Sequence, residues 1–527
     1  MSHLEDSARS DGGDAVAPAT VSEKPERLRP SDQDVQRARW FIFVLLVALL
    51  LLLYFVFIPG GRLLLDADLY WHIATGRKIW ESGSFPQVDE FSHTFRGHPW
   101  IERDWLGDLA FFGAYSLSGW RGVAMITGGA AALAYALLFL MLSRTMRLTV
   151  AIGVAAVALA LSAVHLHART QVFGDGLIVV WVAALVRAVD AKTSPSLMLL
   201  PVMTLWANVH GSFVAGLALT VALAAEAVFE SPGGERLFVA RKWAVFLVAA
   251  VGAACMTPYG VRSILSTFDV IGAHEIKQYI GEWRAVSFDT APIEVLALLA
   301  LVFLALLNGA KIRFCRLTIL LLIVAYMLTA VRFIFLFNII APLLLATPLT
   351  RQFRFLGLSE QIATQPQFFT TMSQLGRRGL YGTYGIIAII ILVTGILGGS
   401  VEPLRSRQIS PEGSVDYIFA HNLQGNIYNA YDFGGYLIFR GLPTFIDGRG
   451  GQLFGDGFAT ENRTIVSERP REFIGYLDKY HISIGLVAPN SIESQEFRAS
   501  SDWIGVYADD VSELFVKRNE LDQRGRD

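Results

Sequence analysis

Between Asp66 and Trp105 the chain reads DADLYWHIATGRKIWESGSFPQVDEFSHTFRGHPWIERDW, gathering Asp66, Asp68, His72, Arg77, Asp89, Glu90, His93, His98, Glu102, Arg103 and Asp104 in a sequence that is otherwise mostly apolar. Asp66-Ala67-Asp68 sets two carboxylates one residue apart. Such a pair can take the proton of a hydroxyl as a general base, or offer oxygen ligands to a divalent cation such as magnesium or manganese. An Asp in this place could equally cap a helix, but Trp71, His72, Gly76 and Arg77 close behind it supply the further groups a substrate site needs. Asp89-Glu90 is a second acidic pair, and its place after Pro86 also fits plain turn chemistry. Trp71, Trp80, Trp100 and Trp105 run through the same stretch, as amphipathic rings do at a bilayer interface.

Four further groups stand out. His165, His167 and Arg169 form a corner in which a planar guanidinium and two imidazoles could receive a phosphate, or in which Arg169 could pair with acids of the first loop. Arg332 is a second phosphate candidate unless it merely snorkels to the interface. In LWANVHGSF, Asn208 and His210 adjoin a glycine after a half-length apolar run, the pattern of a broken helix lining a cavity. Near the C-terminus, Asp432 in YDFGGY and Asp447 in TFIDGR combine an acid with glycines that let backbone approach a ligand or a packed neighbour. The chain holds no P-loop, no HExxH and no CxxC, which argues against a nucleotide-hydrolysing transporter.

The elements that must position these residues are mostly hydrocarbon. Of 527 residues 53% are hydrophobic and 17% charged, and the mean hydropathy is +0.45, so the fold class is a polytopic α-helical membrane protein. The net charge of -2 is spread unevenly and implies no nucleic-acid partner. Residues 1–39 are polar and read as a disordered tail, and 40–58 is too long and too free of a cleavage site to be a signal peptide. With 40–58, apolar runs at 122–142, 149–164, 176–189, 197–206, 212–229, 243–256, 293–307, 317–330, 333–348 and 384–398 predict about 11 transmembrane helices, with 109–117 as an interfacial piece.

Lys and Arg fall in alternate loops, which predicts a cytoplasmic N-terminus. It also places the first loop 59–121, the His165–Arg169 corner, Asn208, His210 and Arg332 together on the outer side. Polar residues at membrane depth are costly and mark a site. After residue 400 the composition becomes mixed, predicting strands at 426–428, 444–446 and 482–487 and helices at 434–439 and 471–479. The expected organisation is therefore a cytoplasmic tail 1–39, a transmembrane domain 40–399 and an extracytoplasmic α/β domain 400–527.

This arrangement of a first-loop acid, a many-span bundle and an outer α/β domain resembles the GT-C glycosyltransferases, which include protein mannosyltransferases, aminoarabinose transferases and oligosaccharyltransferases. Asp66-Ala67-Asp68 stands where that family has its first-loop acid, and Tyr431-Asp432-Phe433-Gly434 resembles a relaxed WWDYG signature. Ala430 replaces the first aromatic of that signature, and no second D-x-D follows in a later outer loop. DLYWHIATGRKIW, FPQVDEFSHT, LWANVHGSF and NAYDFGGYL are also similar to a bacterial branch of such membrane proteins.

The resemblance implies transfer of a sugar from a polyprenyl-phosphate donor to a lipid, glycan or protein acceptor at the outer face of the bacterial inner membrane. Asp68, with Asp66 second, would then remove the acceptor proton. Arg169, His167, His165 and Arg332 would hold the donor phosphate, and Trp71, His72, Arg77, Asp89, Glu90, Asn208, His210, Asp432 and Asp447 would line the substrate. The alternatives are a surface-polysaccharide polymerase or ligase, or a transporter or assembly component. A transporter should show inverted repeats and polar groups on both faces, whereas here the polarity is one-sided.

Overall fold

Runs of Ala, Leu and Val in hydrocarbon can satisfy their backbone groups only as helices, and the chain builds them one after another. The computed structural model describes residues 62–163, 165–272, 281–357 and 409–518. The expected tail 1–39 and the expected spans 40–58 and 384–398 lie outside these residues. In order come α1 (Asp68–Ser82), α2 (Trp105–Leu142), α3 (Leu148–Ala163), α4 (Gln171–Asp190), α5 (Leu200–Val209), α6 (Phe213–Phe229), α7 (Arg236–Ala254), α8 (Arg262–Gly272), α9 (Pro292–Leu307), α10 (Phe314–Thr329) and α11 (Ile334–Gln352).

Among the described residues four helices are long and apolar enough to cross a membrane: α2, α4, α7 and the stretch Val331–Gln352 that contains α11. The remaining apolar helices α3, α6, α9 and α10, and the pair made by 197–199 and α5, are shorter. The core of the bundle is built around Trp181, Trp206 and Trp243, with Ala151, Ala155 and Ala158 as a small-residue face on α3, and α9 stands outside it. Outside that core the bundle is also apolar: Val245 and Val248 on α7 and Leu296, Leu299, Phe303 and Leu307 on α9 are exposed. An apolar wall of this extent suits lipid rather than water.

The predicted interfacial piece 109–117 and the predicted span from 122 prove to be one element, α2, broken at Ser118 and Gly119. Gly119 takes φ 59°, a left-handed conformation that glycine adopts without a Cβ penalty. The expected break after α5 is present too: His210 leaves the helix in an extended conformation and α6 restarts at Phe213.

The two ends of the bundle differ. At one end gather the basic loops, where Arg147 donates to the carbonyls of Leu356 (2.9 Å) and Gly357 (3.1 Å). Arg316 is enclosed there by both carboxylate oxygens of Glu226 (2.8 and 2.9 Å), the Leu344 carbonyl (3.0 Å) and Asp190 (3.3 Å). At the opposite end the Ala168 amide donates to the Leu63 carbonyl at 2.8 Å, and Trp105 Nε1 donates to Asn208 Oδ1 at 2.8 Å.

The first loop is stitched to the C-terminal region at this second end. That region carries a sheet of order β1-β2-β4-β3, with β1 (Asn426–Asn429) parallel to β2 (Ile482–Val487) and the pairs of β4 (Glu513–Lys517) with β2 and with β3 (Trp503–Ala508) antiparallel. Helices α12 (Glu412–Ala420) and α13 (Gly434–Phe439) flank β1 in sequence. The expected strand 444–446 is not in the sheet. Thr444 instead bridges to Ser92, the His93 amide donates to its carbonyl at 3.0 Å, and Thr94 Oγ1 donates to the Phe445 carbonyl at 2.7 Å. Phe445 and Ile446 are apolar and fully buried beneath the loop, which is why an alternation argument mistook them for a sheet strand.

Candidate active site at the seam of bundle and C-terminal region

The DAD motif opens α1. Asp66 Oδ1 accepts from the Asp68 amide at 2.9 Å, so Asp66 caps the helix. Its other oxygen receives Arg169 Nε, and Arg169 Nη2 reaches Asp66 Oδ1 at 3.2 Å and Asp68 Oδ2 at 3.2 Å. The pairing of Arg169 with first-loop acids is therefore real, and it joins two stretches 103 positions apart. Trp71 Nε1 donates to Asp68 Oδ1 at 3.2 Å, fixing the carboxylate from behind. From the C-terminal region Gly448 comes so close that a Cβ there would meet Asp68 Oδ1, and a Cβ on Gly435 would meet the Ala67 carbonyl. Only glycine permits these two approaches.

The two acids end up different. Asp66 is 6% exposed and committed to its cap and its ion pair, whereas the Asp68 side chain keeps 21% of its surface. Burial pushes the Asp68 carboxyl up to about 6; Arg169 works against this and Asp66 adds to it. A carboxylate of that strength is a better proton acceptor near neutrality than an ordinary Asp.

Asp66, Asp68, His167, Arg169, Tyr431 and Asp432 face one pocket of about 240 Å³. Burial, with help from the Asp66 charge, also raises the Asp432 carboxyl above its ordinary range. His167 and Arg169 belong as well to a neighbouring pocket of about 50 Å³, whose other walls include His165, Gln171, Asp175 and Arg332. The Arg332 guanidinium lies 4.4 Å from the Trp283 ring centre, and His165 Nε2 is 3.3 Å from Glu294. His167 Nδ1 is enclosed and finds no hydrogen-bond partner among the described residues.

The remaining predicted site residues are placed elsewhere. Trp71 and His72 are buried behind Asp68, with rings stacked at 3.8 Å and His72 Nδ1 at 2.6 Å from Asp108 Oδ1. Asn208 spends its amide on the Thr204 (2.8 Å) and Met256 (3.0 Å) carbonyls, and His210 Nδ1 pairs with Ser212 Oγ at 2.9 Å. Beside them Asp104 accepts from Thr170 Oγ1 (3.0 Å) and the Gly211 amide (3.1 Å), tying the starts of α2 and α4 to the helix break. Glu102 lies in the same buried cluster, where burial and the neighbouring Asp108 and Asp104 push its carboxyl well above its ordinary range.

Asp89 and Asp447 sit in a closed cage around Arg449, which donates to Asp447 at 2.8 and 2.7 Å and also to Asp89. Both side chains of each pair are fully enclosed, and the cage lines neither pocket. Glu90 is exposed and pairs with Lys78 at 2.5 Å; Arg77 lies over the Phe439 ring at 5.4 Å. Tyr431 and Gly448 were read only as members of their motifs, and Asp175 was not singled out from the sequence. Tyr431 and Gly448 lay inside the YDFGGY and DGRG runs, and an acid within the apolar α4 was a usable signal for Asp175.

Asp66 and Asp68 converge on a guanidinium, and among the described residues they form no cluster of three or more His, Cys, Asp or Glu groups able to hold a metal ion. Among the described residues, Asp66 and Asp68 with their neighbours do not form a fitted cation site.

No family description matches the chain, and no curated protein matches it in sequence. Solved structures do. ArnT from Cupriavidus metallidurans bound to undecaprenyl phosphate is 12% identical over 90% of this chain and 97% of its own, with a TM-score of 0.47. Its apo form is 14% identical over the same shares, with a TM-score of 0.49. The archaeal oligosaccharyltransferase AglB from Archaeoglobus fulgidus, in complex with an inhibitory peptide and a dolichol-phosphate, is 11% identical over 85% of this chain and 69% of its own, with a TM-score of 0.45.

Proposed function

We propose that the protein is a membrane glycosyltransferase that moves a sugar from a polyprenyl-phosphate-type donor to an acceptor hydroxyl or amide, at the end of the bundle where the first loop meets the C-terminal region. The observation that carries this reading is one pocket wall on which a carboxylate with its proton affinity raised, Asp68, stands 3.2 Å from a guanidinium, Arg169. The first-loop acid and the YDFG run, the two motifs of the family resemblance, meet at this pocket.

In the transfer, Asp68 takes the acceptor proton while the acceptor's lone pair forms the new glycosidic bond. The bond between the sugar and the carrier phosphate breaks and leaves its electron pair on phosphate. Arg169 links the two events. Once Asp68 is protonated it no longer holds the guanidinium as an ion-pair partner, so more of the Arg169 charge is directed to the phosphate as negative charge develops there. His167 and Arg332, which line the smaller pocket, would add donors to the same group. The apolar wall of the bundle suits the polyprenyl chain.

The test is the purified full chain in nanodiscs with a panel of polyprenyl-phosphate sugars, following release of the carrier phosphate and acceptor mass. Turnover in wild type that is lost in Asp68→Asn supports the reading. Absence of carrier release with every donor and with envelope extracts as acceptor source overturns it.

A further inference from the structure

The outward half of α1 carries a feature that the proposed transfer does not use. Ala74, Arg77, Lys78 and Glu81 recur at three- and four-residue spacing, so they share one face of the helix. That face looks across a cleft of about 470 Å³ to Ile438, Phe439 and Arg440 at the end of α13. The cleft combines an apolar floor, made by Ala74, Phe91, Ile438 and Phe439, with three cations against the single acid Glu81.

The cations are held by ring faces rather than left to wander in solvent. Arg77 lies 5.4 Å from the Phe439 ring centre and Lys78 5.2 Å from that of Phe91. Arg440 is steadied by the Tyr436 hydroxyl at 2.8 Å and by Asp416 at 2.8 Å, while Glu90, the partner of Lys78, and Asp416 are both largely exposed. Among the described residues no carboxylate lies within ion-pair distance of Arg77, although Glu81 lines the same cleft. The last turn of α1 holds no basic residue, so compensation of the helix dipole does not account for Arg77 and Lys78.

We propose that this cleft binds an anionic group of the acceptor, a phosphate or a sugar carboxylate carried on an amphipathic glycan or headgroup. The inference rests on the transferase reading for the word acceptor. Asp68 and Arg77 are nine positions apart on one helix, an axial rise of about 14 Å and about two and a half turns, so they leave opposite faces of α1 and line separate cavities. The cleft therefore lies beyond reach of the reacting centre and grips a remote part of the substrate, where binding energy sets acceptor choice. The expected acceptor carries its negative charge more than about 14 Å from the atom that is glycosylated.

Two sources of the same chemistry are separated by the probes. The full chain in neutral nanodiscs is titrated with a soluble uronate oligosaccharide and with its carboxyl-reduced neutral form, and in parallel with vesicles of phosphatidylglycerol or of phosphatidylcholine. Wild type should bind at least one anionic probe, and Arg77→Gln combined with Arg440→Gln should weaken that binding at least about tenfold, with an unchanged Tm. Oligosaccharide binding alone identifies a glycan anion, and vesicle binding alone a headgroup phosphate. Equal binding of charged and neutral probes, or a double variant that binds as wild type does, overturns the proposal. Asp68→Asn should keep full probe binding. Wild type that binds the probe yet transfers no sugar from any donor would count against the transferase and leave the anion cleft standing.

Discussion

Two Asp–Arg–Asp groups lie at the seam between the bundle and the C-terminal region, and they have opposite fates. In one, Asp89, Arg449 and Asp447 are sealed, with the side chains of both ion pairs at 0% exposure. Burial works against the ionised form of Asp89, but Arg449 and Ser92 outweigh it and hold its carboxyl below the usual range. In the other, Asp66, Arg169 and Asp68 form part of a pocket wall, and there the balance falls the other way, with the Asp68 carboxyl pushed up to about 6. The chemistry of the side chains is the same. In each group the guanidinium gives two contacts to one acid and one to the other, but Asp89 also accepts from the Phe91 and Ser92 amides and from Ser92 Oγ, whereas beside Arg169 Asp68 accepts from Trp71 Nε1 at 3.2 Å. The acid with more donors has its carboxyl held down, and the other keeps the raised proton affinity on which the proposed transfer rests.

This contrast can be broken or sharpened by experiment. Asp68→Asn should lower transfer by about 10² to 10⁴ while thermal stability changes little, because the α1 cap comes from Asp66. Near-normal turnover would remove Asp68 from the reaction. Arg449→Ala should act on folding instead, costing about 3 to 5 kcal/mol by leaving Asp89 and Asp447 buried without a counter-charge. It would show as lost protein and a fallen Tm, and a variant that melts like wild type would mean the cage holds nothing.

Arg169→Lys keeps the charge and loses the fork, so carrier-phosphate affinity should fall about tenfold, against up to about a hundredfold for Arg169→Ala. Equal affinities in a carrier-lipid binding assay would assign Arg169 to the scaffold alone. The smallest effect is in pH dependence. With Asp68 as base, kcat/KM should rise with pH up to about 6 and then level off. Since Asp66 raises that midpoint and Arg169 lowers it, Asp66→Asn should move it down and Arg169→Gln up. Stability runs the other way: the folded state holds the Asp68 proton more tightly than the unfolded chain, so this contribution is present below about 4 and is lost as pH rises through about 6.

Much of this was legible in the chain itself. Apolar runs predicted the helices α3, α4, α6, α9 and α10 within a few residues, since hydrocarbon leaves a backbone no other choice. Alternating basic loops predicted that Arg147, Arg316 and their neighbours would gather at one end and Asp66, His167, Arg169 and Arg332 at the other. The strand Ile482–Val487 and the helix Gly434–Phe439 were equally plain. Trp503–Ala508 and Glu513–Lys517 were not seen, because short strands near a chain's end carry little periodic signal.

What the sequence by itself determined, then, is which side chains could do chemistry and on which end of the helices they fall, because both follow from residue type and local hydrophobicity. Which of those side chains line an open pocket and which are sealed was decided by tertiary structure. Asp68 and Asp89 look alike in the first loop, but Arg449, 360 positions from Asp89, closes over one acid, while Gly448 beside it supplies only bare backbone to the other. Burial, ion-pair saturation and the reach of a pocket are sums over neighbours brought from across the chain, and no local reading of the sequence contains them.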